Sequence, residues 1–368
     1  MSRGNDTHGA PVPLPGAGDV AACPGTAPPA PQPAMEALAA RAAGENFPVA
    51  LRVLPRLYRR RLMAVYRFAR FVDDVGDEPA AAGPARDGDA AHEPGDKANS
   101  PGDRLRALDA VEHDLGRAFT AGLTPRLPVI REVGLVAAEC AIPAEPFRML
   151  IQANRQDQTV SRYATFDHLL GYCELSANPV GRIVLGVFGA VTPERERLSD
   201  LVCTALQLAE HWQDVAEDFA RGRVYLPQED MAAFGCTERD LEPAPPEPAA
   251  RPAGPAGPVR RGTPDRIREL MRFETERAAR LLGEGAALTG TLRGWARLAV
   301  AGYVAGGRAT LAAIAAAGAG PGHLGRRGAP GRSTPPAGPG GFDVLAMTPR
   351  PGRARTAGGL ILAYLTGR

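Results

Sequence analysis

Aromatic residues make up only 5% of this 368-residue chain, and no long basic run disturbs a formal net charge of +2. Neither an aromatic base-stacking platform nor an electrostatic footprint for nucleic acid is present, so no nucleic-acid partner is expected. Five cysteines, at positions 23, 140, 173, 203 and 236, include no C-x-x-C. An odd, dispersed set suits a reducing cytosol and not a disulfide framework. The six histidines show no zinc-ligand spacing, and none has a cysteine partner nearby. Alternating β-branched runs are missing, as are a G-x-G-x-x-G after a strand and a P-loop, which excludes the common nucleotide folds. "VAAC", ending at Cys23, mimics a lipoprotein cleavage box, but the upstream "THGAPVPLPGAGD" supplies no apolar h-region. "GGLILAYL" is too short to span a bilayer. "WARLAVAGYVAGGRATLAAIAAAGAG" (295–320) is long enough but carries Arg297 and Arg308 among small residues, and reads as a packed internal helix. Cytoplasmic placement is expected, with peripheral membrane contact left open.

Glycine and proline are plentiful instead, at 43 and 36, and they cluster. Residues 1–34 read as an unfolded tail, about 79–102 and 242–264 as flexible insertions, and 321–368 as a Pro/Gly-rich linker with a short terminal segment. Between them apolar residues recur at helical spacing over roughly 35–43, 48–77, 103–122, 128–140, 144–158, 166–190, 194–221, 264–288 and 291–317. The expectation is an all-α domain over 35–320.

Two of these helices carry acidic ladders. "FVDDVGDE" (71–78) ends an apolar run with Asp73 and Asp77 four residues apart, on one helix face. "LQLAEHWQDVAEDFARGRVYLP" (206–227) places Glu210, Asp214 and Asp218 at successive turns. Like charges at that spacing repel and destabilise a helix, so a cation between them is a reasonable occupant. In a chain with 41 acidic residues, either ladder alone is equally well a solvated surface. Context favours function, because Tyr66 and Arg70 precede the first pair and Arg223 and Tyr225 follow the second. Carboxylates suit hard divalent cations such as Mg²⁺, which takes one or two per ion and fills its shell with water and phosphate. Arginine forks hold the remaining phosphate oxygens.

Tyr-x-x-x-Arg before one Asp-x-x-x-Asp helix and Arg-x-Tyr after another resemble the squalene/phytoene synthase family. The resemblance covers roughly residues 40–320 in order, through "ENFPVALRVLP", "AVYRFARFVDDVGDE", "FRMLIQANRQDQTVSRYATFDHLLGYCELSANPVG" and the second acidic segment. "HWQDVAED", "SANPVG" and the late "FDVL" look most like its bacterial hydroxysqualene synthase branch, part of a route to squalene for hopanoids. The resemblance implies a single helical bundle around an apolar cavity. It implies Mg²⁺ held by Asp73, Asp77, Asp214 and Asp218, with Glu210 standing where an asparagine ligand is usual. Asn46, Tyr66, Arg70, Gln207, Arg223 and Tyr225 fall where the family contacts substrate or diphosphate. Gln213 replaces an arginine clamp. The implied reaction is ionisation of presqualene diphosphate and quenching of the rearranged cation by water to hydroxysqualene. The implied partners are the prenyl diphosphate and, transiently, neighbouring squalene-pathway enzymes. The alternatives are condensation of two prenyl diphosphates to presqualene diphosphate or phytoene, and a catalytically inactive helical scaffold.

Overall fold

The computed structural model describes residues 53–77, 100–242 and 263–318. The expected tail, most of both insertions, the C-terminal segment and Asn46 lie outside these residues. Among the described residues the fold is all-α, with one isolated β-bridge between Arg162 and Val224.

Helix α1 (Arg56–Asp77) forms because Leu62, Val65, Phe68, Val72 and Gly76 repeat every three or four residues and bury one stripe. Helices α2 (Pro101–Ala118), α3 (Pro128–Glu139) and α4 (Glu145–Gln156) pack around it. Ser100 opens α2 with a capping box shared with Asp103, and proline begins α2 and α3 where its missing N–H costs nothing. Phe68 meets Phe147 edge-on at 5.4 Å at the centre of this first core.

The second core gathers on α7 (Pro193–Gln213). Leu198, Val202, Ala205, Ala209 and Trp212 form its buried stripe, and Trp212 is wholly enclosed. Thr192 caps the helix by accepting from Arg195 N, and Glu194 and Glu196 sit in the first turn, where the helix dipole favours acid. α10 (Asp265–Gly285) and α12 (Gly294–Gly318) pack against α7, with the short α11 (Leu288–Thr291) between them. Helix α12 is long and apolar enough to cross a membrane, yet 67% of its most apolar window is buried in the protein. That agrees with a packed internal helix. Cys140, Cys173, Cys203 and Cys236 are free thiols.

The structure departs from the sequence reading where single helices were expected over 166–190 and 194–221. The first breaks at Ala177 into α5 (Phe166–Ser176) and α6 (Asn178–Val187), with Pro179 unable to donate to the preceding turn. The second breaks at Asp214, whose φ of −106° and ψ of 17° separate α7 from α8 (Val215–Ala220). Two further pieces, α9 (Gln228–Ala233) and a 3₁₀ turn (Glu238–Asp240), are too short to show a period in sequence.

Close approach of α10 to α7 depends on Gly285. A Cβ there would lie 2.8 Å from Val202 N and 3.0 Å from Leu198 O, both main-chain atoms that cannot rotate away. Gly285→Ala is therefore expected to lower the melting temperature. The overlap costs about 1–3 kcal/mol, while the helix preference of alanine, at most about 1 kcal/mol, is reduced at this last helical residue. Thermal unfolding followed by circular dichroism reads the sign. An unchanged or raised melting temperature would show that the two helices have slack.

Candidate active site between the two cores

A cavity of about 570 Å³ lies where the two cores meet, a volume typical of small-molecule sites. Leu62 and Val184 of the first core and Leu185 and Val202 of the second share its wall. On α1, Tyr66, Arg70, Asp73 and Asp77 follow one another at three- and four-residue steps, on the face beside the buried stripe. Tyr66, Arg70 and Asp73 line the cavity. On α7, Ser199, Cys203, Leu206, Glu210 and Gln213 do the same, and Asp214 and Glu217 complete the lining at the α7–α8 break. On these two helices the apolar lining comes from the earlier turns and the charged lining from the last turns, while Leu150, Val180, Val184, Leu185, Leu288 and Val300 add apolar surface from other elements.

Asp73 keeps 47% of its side-chain surface open to the cavity. Burial among protein atoms nevertheless pushes its pKa up to about 6, against a hydrogen bond from Asn154 and the charge of Arg70. Arg70 pairs with Asp74 at 3.3 Å and lies 4.0 Å from Asp73. Asp218 is pushed up to about 7 by burial and by the neighbouring Asp214. In both cases burial is the main cause, with neighbouring carboxylates adding to it, an environment in which a cation is welcome.

The other expected residues form a second layer. Asp77 accepts from Arg223 Nη2 at 3.1 Å, tying the end of α1 to the exit of α8 across 146 residues of sequence. Burial alone would lower the Arg223 pKa, but Tyr225, Asp157 and Asp77 hold the guanidinium charged. Asp218 lines a small separate pocket with His211, Arg223 and Tyr225. Tyr225 stacks on His211 with ring centroids 3.6 Å apart, and Gln207 Nε2 lies 3.2 Å from His211 Nε2. Burial, with a contribution from Arg223, pulls His211 down to about 3, so the ring is neutral. His211 therefore packs in the interior. Among the described residues no three histidine, cysteine or acidic side chains converge closely enough to hold a metal unaided. Carboxylate oxygens are nonetheless the donors a hard cation takes, and Mg²⁺ usually brings water and phosphate as its other ligands.

Sequence reasoning missed Glu217, Asn154 and Asp157. Asp157 accepts from Tyr172 OH at 2.9 Å, and burial pushes its pKa up to about 6. Asn154 had a legible signal. It follows Phe147, Leu150 and Ile151 on the buried stripe of α4, where an amide is out of place unless something polar meets it.

The family model for squalene/phytoene synthase matches residues 40–327. The hydroxysqualene synthase of Rhodopseudomonas palustris is 34% identical over 199 residues, covering 54% of this chain and 60% of that protein. The phytoene synthase of Mycobacterium tuberculosis is 30% identical over 240 residues, covering 65% and 67%. The chain thus spans about 60% of the length of the hydroxysqualene synthases it matches. Among solved structures, squalene synthase HpnC from Alicyclobacillus acidocaldarius is 38% identical with a TM-score of 0.56, covering 72% of this chain and 86% of that one. A dehydrosqualene synthase solved with a ligand, at 19% identity and a TM-score of 0.66, shares the fold over 92% of this chain and 98% of that one. Motifs, helical architecture and the matched length agree: the chain belongs to the squalene/phytoene synthase family.

Proposed function

We infer that the protein is an Mg²⁺-dependent head-to-head prenyl enzyme that ionises presqualene diphosphate and quenches the rearranged cation with water to give hydroxysqualene. One observation carries this reading: the two acidic helical segments, far apart in sequence, bring Asp73, Glu210 and Asp214 to the same cavity, whose other lining residues are mostly apolar. Hydroxysqualene synthases among the relatives support the choice of branch.

Pyrophosphate is a poor leaving group because it departs with several negative charges. Mg²⁺ bound by Asp73 and Asp214, with Glu210 and Glu217 beside them, would supply Lewis-acid stabilisation of that charge. Arg70, on the same wall, and Arg223, behind Asp77, offer guanidinium forks to the phosphate oxygens. Val65, Leu150, Val180 and Val300 shield a carbocation from bulk water until rearrangement is complete. Gln213 lies on the charged part of the wall and brings no positive charge, which favours a substrate with one diphosphate over two.

The test is product analysis with purified protein. Presqualene diphosphate with Mg²⁺ is expected to release pyrophosphate and yield hydroxysqualene carrying ¹⁸O from labelled water. NADPH should not divert the product to squalene, and farnesyl diphosphate alone should be turned over poorly. Efficient formation of presqualene diphosphate from farnesyl diphosphate, with no onward conversion, would overturn the substrate assignment in favour of the condensing reaction.

A further inference from the structure

Among the described residues, one side chain from another helix holds Asp73. Asn154 on α4 donates from Nδ2 to Asp73 Oδ1 at 3.1 Å and to Leu150 O at 3.2 Å. Nδ2 thus faces two acceptors, which fixes the orientation of the amide: turned over, its oxygen would meet both. The contact is built in from both sides. Gly76, one turn beyond Asp73, leaves the room that the amide fills, because a Cβ at that position would overlap Asn154 Oδ1. Gln158, one turn beyond Asn154, donates from Nε2 to Gly76 O at 3.0 Å and to Asn154 O at 2.9 Å. Its Oε1 accepts from Arg104 Nε of α2 at 2.6 Å. Three helices therefore meet in a polar ladder at the turn of α1 that presents a carboxylate to the cavity.

We propose that Asn154 is a positioning residue, which orients the Asp73 carboxylate for the divalent cation through its Oδ1 and depends on Gly76 for its own place. An arginine or lysine at this position would also hold the carboxylate, but it would cancel the charge and compete with the cation. A neutral amide orients the oxygen and adds no positive charge to that which Arg70 already brings within 4.0 Å. Outer-shell donors of this kind set ligand direction, and their loss weakens metal binding by about 10–100-fold. The proposal rests on the metal-site reading above.

The test separates positioning from packing. The full chain is titrated with Mn²⁺ in the presence of inorganic pyrophosphate, and free Mn²⁺ is followed by electron paramagnetic resonance. Asn154→Ala should weaken binding by about 10-fold or more and lower the melting temperature. Gly76→Ala, which displaces the amide without removing it, should weaken binding as well. In the double variant the new methyl at 76 occupies space vacated at 154. Its melting temperature should return toward wild type while its Mn²⁺ affinity stays low. Binding within twofold of wild type in Asn154→Ala, or affinity that recovers together with melting temperature in the double variant, would overturn the proposal and leave the metal site standing. Absence of Mn²⁺ binding in the wild type would instead remove the metal-site reading and this inference with it.

Discussion

Asp73→Asn and Asp214→Asn are each expected to lower turnover by about 10²–10³-fold or more while leaving the folded protein as stable as before, or more so. Both side chains line the charged part of the cavity, from helices in different cores, so neither can replace the other. Asparagine keeps the shape and removes the charge. At Asp73 the side chain is 47% exposed, so solvent screens the effect and the change in stability is small, with its sign set by burial. Burial raises the folded pKa from 3.8 to about 6, so the group's favourable contribution is complete below 3.8 and is lost as pH rises through 6. At neutral pH the wild type carries a carboxylate that the protein would sooner see protonated, and Asp73→Asn escapes that cost. Loss of function with unchanged or raised stability is the mark of a functional carboxylate. Steady-state rates at saturating Mg²⁺ and melting curves at neutral pH are the two measurements. Near-normal rates in either variant would mean that the acidic ladders are surface charge.

The largest effect on stability is expected at Arg277, away from the cavity. Its Nη1 donates to Asp230 Oδ2 at 2.8 Å, with Glu274 Oε2 at 3.3 Å. The guanidinium also lies over the ring of Phe166 at 4.0 Å and of Phe273 at 4.4 Å. Glu274 is fully buried and Asp230 nearly so. Arg277→Leu leaves the nearly buried Asp230 carboxylate without its cation, and breaking a buried pair in this way costs about 3–5 kcal/mol. Urea unfolding should show it as a fall in midpoint, and a loss below about 1 kcal/mol would place this cluster with surface ion pairs. Burial, opposed by Arg277 and helped by a hydrogen bond to Asp230, pushes Glu274 up from 4.5 to about 8. Because the folded pKa is the higher one, the stability this group contributes is present below 4.5 and is lost as pH rises toward 8. Glu274→Gln keeps the shape and a donor without titrating. Wild type should therefore weaken relative to Glu274→Gln as pH increases over that interval. A constant difference across it would show that Glu274 does not carry a proton in the native protein.

The helices and the spacing of the acidic ladders were legible in the sequence because both are local. An apolar stripe such as Leu62, Val65, Phe68 and Val72 dictates a helix and its buried face wherever the chain places it. Likewise, Tyr66, Arg70, Asp73 and Asp77 share a face by spacing alone. What joins them to Glu210 and Asp214 is the packing of two separate cores, a long-range event that no periodicity encodes. The break at Asp214 belongs to the same class, since no proline or glycine marks it and the main-chain bonds from Asp214 to Glu210 and from Asp218 to Asp214 persist through it. The sorting of the aspartates was also decided in three dimensions. Asp73 and Asp214 line the cavity, whereas Asp77 turns to Arg223 and Asp218 to the pocket beside His211. Asn154 lies between the two kinds of information. Its polarity on an apolar stripe was visible in the sequence, but the partner that satisfies it, Asp73, stands 81 residues away and is reached only when α4 packs against α1.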